Sequence, residues 1–358
     1  MKGKIFWGIV LLIILSIFIF YFSCTKNSIR YEYEKKQYLY ANGGWIYVFS
    51  TENDALVDSI SLGPNISPGA LGLAPDKKTL YVWASFRDTL NDTISFLGCE
   101  IDTRTKIIKY IGPNSFPVIS PDGKYLFGEM EGKFAVFDAF THQVVYRDTV
   151  LSYFYPICFD DKKHLAYGAA YEKFGQIMAL NYESKSWVRS FTVHLRDGSI
   201  PGIGDCVLSP DGNTLYLLVY TYSFYFCVYD LTKDSLLVQL GVNAIGQLGI
   251  KPDGSTVYLT DPGGGSGCIS WEPPPTGVLG VFDTKTNMPL PSISLDPLAD
   301  SLHVSPLPAH QIRITSDGKK AYLSTCGNLI LIIDLVRNEP LKTIVVPKRN
   351  LMFYSIAL

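Results

Sequence analysis

Six times along the chain a short turn signal stands between two apolar, β-type runs. The signals are Pro75-Asp76, Pro121-Asp122-Gly123, Asp160-Asp161, Pro210-Asp211-Gly212, Pro252-Asp253-Gly254 and Ser316-Asp317-Gly318. A strand-like run such as Leu80-Tyr81-Val82 or Leu215-Tyr216-Leu217 follows each of them. Further on comes a second apolar run ending in Asp or Asn: Ile101-Asp102, Phe137-Asp138, Leu180-Asn181, Tyr229-Asp230, Phe282-Asp283 and Ile333-Asp334. Such a period marks an array of like supersecondary units, none able to bury its apolar face alone. The array outweighs the 358-residue length, which by itself suggests two or three domains.

A seventh unit is divided between the two ends of the chain. Lys36-Gln37-Tyr38-Leu39-Tyr40 corresponds to the run after a turn signal, Trp45–Phe49 to the Asp-terminated run, and Ala55–Leu62 to a further strand. This unit lacks only its first strand. Phe353–Leu358 matches it, resembling Ala70–Ala74 and stopping where Pro-Asp would begin. Joining the ends leaves only short, protected sheet edges, which an open array cannot do. The expectation is all-β: a seven-bladed β-propeller of four-stranded blades over residues 35–358, closed by the C-terminal strand joining the N-terminal blade.

Two stretches, Leu208-Ser209-Pro210-Asp211-Gly212-Asn213-Thr214-Leu215-Tyr216 and Val278-Leu279-Gly280-Val281-Phe282-Asp283-Thr284-Lys285-Thr286, resemble the repeat of the YVTN family of seven-bladed propellers. The resemblance runs over about residues 35–358, nearly all of the chain after the N-terminal segment, and implies the propeller fold. For function it implies little, because a shared fold hosts unrelated activities. Some propellers resembling this one act on sugars or lactones, and others are subunits of quinone-type amine dehydrogenases. The turn aspartates read as scaffolding: Asp at the start of a turn bonds its own backbone, and Gly accepts positive φ.

Residues 1–24 read differently. Lys2 and Lys4 precede an apolar run of eighteen residues, Ile5 through Phe22, and then Ser23-Cys24. A small residue before a cysteine resembles a bacterial lipoprotein signal, which implies lipidation of Cys24. Tyr21-Phe22 are bulkier than the residues usual before that pair, and an uncleaved membrane anchor is the other reading. Residues 25–34 form a tether in either case. Both readings put the propeller in the bacterial cell envelope, membrane-anchored and facing the periplasm or the exterior. A net charge of −2 with no block of like charges gives no footprint for nucleic acid.

Antiparallel strands a to d, counted outward from the ring axis, place the a–b and c–d turns on one face and the b–c and d–a connections on the other. From turn signal to strand-ending Asp, units two and six take 26 and 30 residues, against 16 to 20 in units three, four, five and seven. The excess falls in b–c connections, at Ser85–Asp92 and Asp261–Thr276, while long d–a connections run over His194–Pro201 and Asp296–Gln311. All four insertions share one face, and long loops on a rigid scaffold are where function concentrates. The candidate binding residues there are Trp271 and Glu272 between Gly- and Pro-rich stretches, Arg87, Arg196, Tyr222, Tyr225, His303 and His310. Trp271 suits stacking on a sugar ring or anchoring an interface, or else folds down over the blade edges. His194, His303 and His310 match no metal-ligand spacing and read as loop histidines.

Four cysteines, Cys99, Cys158, Cys206 and Cys227, lie in strand-like runs and read as buried packing. Cys268 and Cys326 fall near b–c connections of neighbouring units and form the candidate disulfide. There is no Gly-x-Ser-x-Gly, His-Glu-x-x-His or Cys-x-x-Cys-His motif. The leading expectation is therefore a binding module without cofactor or metal, a monomer taking a protein, peptide or glycan of the cell envelope on its long-loop face. The alternative is an envelope enzyme or redox accessory subunit, with Glu272 and Asp261 as acids and His303 or His310 as base.

Overall fold

The computed structural model describes residues 37–358, except 90, 113–114, 153, 171–172, 244–245, 262–276, 299–308, 326–327 and 348–354. It forms seven four-stranded antiparallel sheets arranged as blades. The innermost strands of blades two to seven are Ile66–Leu73, Ser115–Ile119, Phe154–Asp160, Gly202–Leu208, Leu248–Ile250 and Ala309–Ile314. That of blade one is Ile356–Ala357, which pairs with Tyr38–Asn42 through Tyr40↔Ala357 and Ala41↔Ile356. The fold is thus a seven-bladed β-propeller, with the C-terminal strand completing the first blade.

Both rows of repeated carboxylates serve turns. In the a–b turns, the amides of Lys78, Lys124, Asn213, Ser255 and Lys319 donate to Asp76, Asp122, Asp211, Asp253 and Asp317, at 2.9–3.1 Å. In the c–d turns, Asp102, Asp138, Asn181, Asp230, Asp283 and Asp334 each accept two backbone N–H bonds. These bonds hold the Asp230 carboxyl well below its ordinary range, with the Thr232 hydroxyl the largest contributor. A carboxylate so fixed is a poor proton carrier at neutral pH.

Each c–d turn also contains one left-handed residue: Asp54, Lys106, His142, Lys185, Asp234, Asn287 and Asn338, with φ between 54° and 63°. Six of these side chains reach back to the preceding blade. Lys106 pairs with Asp58 (3.0 Å), His142 approaches Glu100 (2.9 Å), and Lys185 donates to the Tyr125 hydroxyl (3.1 Å). Asp234 pairs with Arg189, and Asn338 accepts from the Tyr258 hydroxyl (3.2 Å). Across the closure, Asp54 of blade one accepts from the Tyr322 hydroxyl (2.6 Å) and pairs with Lys320 (3.2 Å) and Lys342 (3.1 Å) of blade seven. The blade seven–one junction therefore carries the same kind of outer-rim contact as the internal ones.

Near the axis the closure rests on Asn42, which is almost fully buried. Its Oδ1 accepts from the Ser355 N–H (2.7 Å), and its Nδ2 donates to the Pro68 carbonyl (3.2 Å). The Ser355 hydroxyl in turn accepts from the Leu71 N–H of blade two (3.0 Å). Apolar side chains fill the spaces between blades, as in the cluster of Leu39, Tyr47, Tyr322, Ile332 and Ile356 at the blade seven–one junction.

One local expectation changes form. In unit two the added residues do not make a loop; they lengthen both strands, Thr79–Asp88 and Thr93–Asp102, into a hairpin paired out to Asp88↔Thr93. Stacking of Trp83 on Phe96 (4.6 Å between centroids) supports that extension. Residues 1–36, including Cys24, lie outside the described residues; among those described, no helix is long and apolar enough to cross a membrane.

Replacing Asn42 by Ala removes a side chain that satisfies buried backbone groups at the closure. Each orphaned group costs about 1–3 kcal/mol, so the variant should lose about 2–4 kcal/mol of stability. A urea midpoint equal to that of the native chain would show that the closure does not depend on Asn42.

Candidate functional site in the central channel

Aligning the units on their turn signals places four polar residues in one column, five positions before the signal: Tyr155, Asp205, Gln247 and Gln311. They belong to blades four to seven and stand on, or directly before, the innermost strands. Strand irregularities recur at the same level, between Pro156 and Cys158, Ile203 and Asp205, and Ala309 and Ile312. A bulge re-aims side chains, and here it recurs where polar groups crowd the ring axis. Arg313, two residues beyond Gln311, joins them.

The column links one blade to the next. Asp205 Oδ2 accepts from the Leu248 N–H of blade six (2.7 Å), and Gln311 Oε1 accepts from the Ile356 N–H of blade one (3.0 Å). Arg313 Nη1 donates to Gln247 Oε1 of blade six (3.3 Å) and to the Ile312 carbonyl (2.8 Å). Gln247 is held by the fully buried Thr260, whose hydroxyl accepts from the Gln247 N–H (2.7 Å) and donates to the His310 carbonyl (2.9 Å). Gly246 makes that possible: a Cβ there would fall 2.1 Å from the Thr260 carbonyl oxygen.

Arg313 and Tyr155 influence each other's ionisation although blades four and seven are not neighbours, so the interaction crosses the channel. Tyr155 is 42% exposed on an innermost strand, which fits a side chain facing that channel. Asp205 retains partial exposure while protein surrounds it, as a narrow water-containing channel would allow. Burial pushes its carboxyl up to about 7, against the pull of the Leu248 and Cys206 amides and the Arg313 charge. Burial likewise lowers Arg313, opposed by the charges of Asp205 and Tyr155, but a guanidinium remains protonated. Among the described residues Arg313 forms no ion pair, and its Nε and Nη2 carry no hydrogen bond. Among the described residues the innermost strands therefore carry a cation with open donors and, within its electrostatic reach, a carboxyl raised toward neutrality.

Of the sequence candidates that are described, Arg87, Arg196 and Tyr222 stand at connections on the b–c and d–a face. Arg87 is at the blade-two hairpin tip, paired with Asp92 (2.7 Å), both exposed. Arg196 is exposed, and its N–H donates to Gln239 of blade five (2.8 Å). Tyr222 stands fully exposed at the tip between Thr214–Tyr220 and Phe224–Asp230, whereas Tyr225 packs against the core between blades four and five. His194 is exposed; His310 lies on the innermost strand of blade seven, its pKa lowered by burial. Trp271, Glu272, His303, Cys268 and Cys326 lie outside the described residues. No group of three or more His, Cys, Asp or Glu among the described residues is arranged to hold a metal.

An apolar rim accompanies the channel on the same face. Phe174, Ile200, Tyr220 and Tyr222 of blades four and five are all exposed there. The rim is packed tightly from below. Gly175 has φ 72°, and a Cβ on it would meet the Ile200 side chain at 2.0 Å. The Tyr220 ring covers Gly202, where a Cβ would come within 2.3 Å.

No protein family and no curated protein matches this chain. Solved structures do. The chain is similar to Kuenenia stuttgartiensis hydrazine synthase at 18% identity and a TM-score of 0.55, over 77% of this chain and 78% of that one. It is also similar to the dihydro-heme d1 dehydrogenase NirN, in complex with DHE, at 14% identity and a TM-score of 0.55. That similarity covers 86% of this chain and 63% of the other. At such identities the likeness is one of fold.

Raising the Asp205 pKa above its unfolded value means that the folded state holds the proton more tightly. Stability linked to this group is therefore highest at acid pH and falls as pH rises through about 4 to 7. Partial exposure of Asp205 offsets part of the cost. Asp205→Asn, which keeps an acceptor for Leu248, should match the native chain at pH 4.5 and exceed its urea midpoint at pH 8. A difference independent of pH would refute the assignment.

Proposed function

We propose that this chain is a membrane-tethered binding module of the bacterial envelope, taking the carboxylate end of a peptide or acidic glycan into the channel mouth of its long-loop face. The observation that carries the reading is Arg313, a cation on an innermost strand whose Nε and Nη2 carry no hydrogen bond among the described residues, with Gln247 bound to its Nη1 and the Asp205 carboxyl within its electrostatic reach. A guanidinium matches a carboxylate in a bidentate, charge-assisted geometry. Partial removal from bulk water strengthens that attraction. The aromatic rim on blades four and five supplies stacking area for the remainder of a peptide or sugar chain, with Trp271 and Glu272 as further contacts. The YVTN-like repeat supports this reading as scaffold, and the net charge of −2 disfavours nucleic acid. The chain is read as a monomer, with lipid on Cys24 as its hold on the membrane.

Asp205 favours a second reading. A carboxyl near pH 7 is suited to general acid–base work, and Arg313 would stabilise a developing anion beside it. Under this reading the protein is an envelope enzyme. Recovery of the bound ligand separates the two: it returns intact from a binding module and altered from an enzyme.

Titration of the full chain in detergent with peptides bearing a free C-terminal carboxylate, their amidated forms, uronic-acid oligosaccharides and neutral oligosaccharides tests the ligand class. The free carboxylates should bind, and Arg313→Gln should weaken them by roughly 10- to 100-fold, the value of a charge-assisted bond at about 1.5–3 kcal/mol. Equal affinity for the amidated or neutral forms would refute the carboxylate site. Metabolic labelling with a palmitate analogue tests the tether: the native chain should take up label and Cys24→Ser should not. An unlabelled native chain that still fractionates with membranes would instead assign the anchor to residues 5–22.

A further inference from the structure

Cys158 and Cys206 stand on the innermost strands of blades four and five, forty-eight residues apart in sequence, with their sulfurs 3.0 Å apart in the core between the blades. Non-bonded heavy atoms rest at roughly 3.5–4.0 Å, and a disulfide bond is about 2.05 Å long. The two sulfurs are thus inside ordinary contact and about 1 Å from bonding distance. Both thiols are buried, as are Cys99 and Cys227, but the latter two have no thiol partner among the described residues.

We propose that Cys158 and Cys206 close a disulfide across the junction of blades four and five when the chain folds in the presence of a disulfide oxidant. The two thiols give up two protons and two electrons as the Sγ–Sγ bond forms. The oxidant, a glutathione-type disulfide or the disulfide form of a thiol oxidoreductase, has its own S–S bond broken and leaves as two thiols. Oxidation takes place before the blades close, because burial and the neighbouring Cys158 sulfur raise the Cys206 thiol far above its ordinary range in the folded state. Once formed, the bond is shielded from reductants by the same packing. It serves as a structural clamp, and it lies where the candidate site needs one: Cys206 follows Asp205, and Cys158 is three residues from Tyr155. In the cell the step rests on the envelope location proposed above, where oxidants of this class operate; in the test tube it does not.

The test uses the full chain, denatured, reduced and refolded in a glutathione redox buffer, then alkylated under denaturing conditions and mapped by mass spectrometry. The expected product is a Cys158–Cys206 cross-linked peptide two hydrogens lighter than the reduced pair, with Cys99 and Cys227 alkylated. The chain refolded in the glutathione buffer should melt roughly 3–8 °C above the same chain refolded in excess reductant, and Cys158→Ala/Cys206→Ala should show no such difference. Refolding with Cys158 and Cys206 both alkylated, or bonded to other cysteines, overturns the proposal. Chain isolated from cells in the reduced form, but cross-linked after refolding, upholds the pairing and overturns the envelope location instead.

Discussion

The structure depends on one short piece of antiparallel pairing, that of Ile356–Ala357 with Tyr40–Ala41. Every other blade is built from consecutive strands, and its hydrogen bonds form locally. The first blade is assembled from the two ends of the sequence, and its inner strand is the last strand of the described chain. Without it, blades one and seven would each expose a face that no neighbour covers. So short a ladder does not hold such a junction alone, and the surrounding side chains show what else does. Asn42 and Ser355 bind the closure near the axis, while Asp54, Tyr322, Lys320 and Lys342 bind it at the rim.

Closure also determines where chemistry is affordable. Between blades the packing is apolar and dense, and a polar group there needs a partner from the adjoining sheet. The innermost strands are different, because each turns its unpaired edge to the axis, toward the other innermost strands. Backbone N–H groups left open on those edges are accepted by Asp205, Gln311 and Ser355 of the preceding blade. The same bonds that satisfy the ring thus import side-chain carboxyls, amides and hydroxyls into the channel. Arg313 adds charge to this polar lining. Its position follows from Gln247 and Thr260, which brace it from blade six.

Much of this was legible in the sequence, for a physical reason. Turn chemistry is local: Asp bonding an amide two residues on, and Gly at positive φ, read from a few adjacent letters. The repeated signals therefore gave the blades, their strand order and the closing strand. The length of Ser85–Asp92 announced an insertion but not its form, since whether an insertion pairs depends on contacts such as Trp83 on Phe96. The channel group was the least legible. Asp205 and Arg313 lie 108 residues apart in chains of apolar letters, and neither belongs to a motif. Only the superposition of units, with Tyr155, Asp205, Gln247 and Gln311 falling in one column, carries a signal, and its meaning requires knowing that the column encircles an axis.

That column also explains why the channel is polar on one side. Blades two and three have Ala70 and Phe116 at the same position, while blades four to seven have Tyr, Asp, Gln and Gln. The exposed aromatics Phe174, Tyr220 and Tyr222 cluster over blades four and five, on the polar side. Charge at the axis and apolar area at the rim are therefore displaced toward the same sector of the ring. A ligand engaging both would cross the face obliquely from the rim of blades four and five to Arg313 on blade seven, with Asp205 along its path. A sevenfold scaffold acquires direction in this way, through unequal letters at one repeated position.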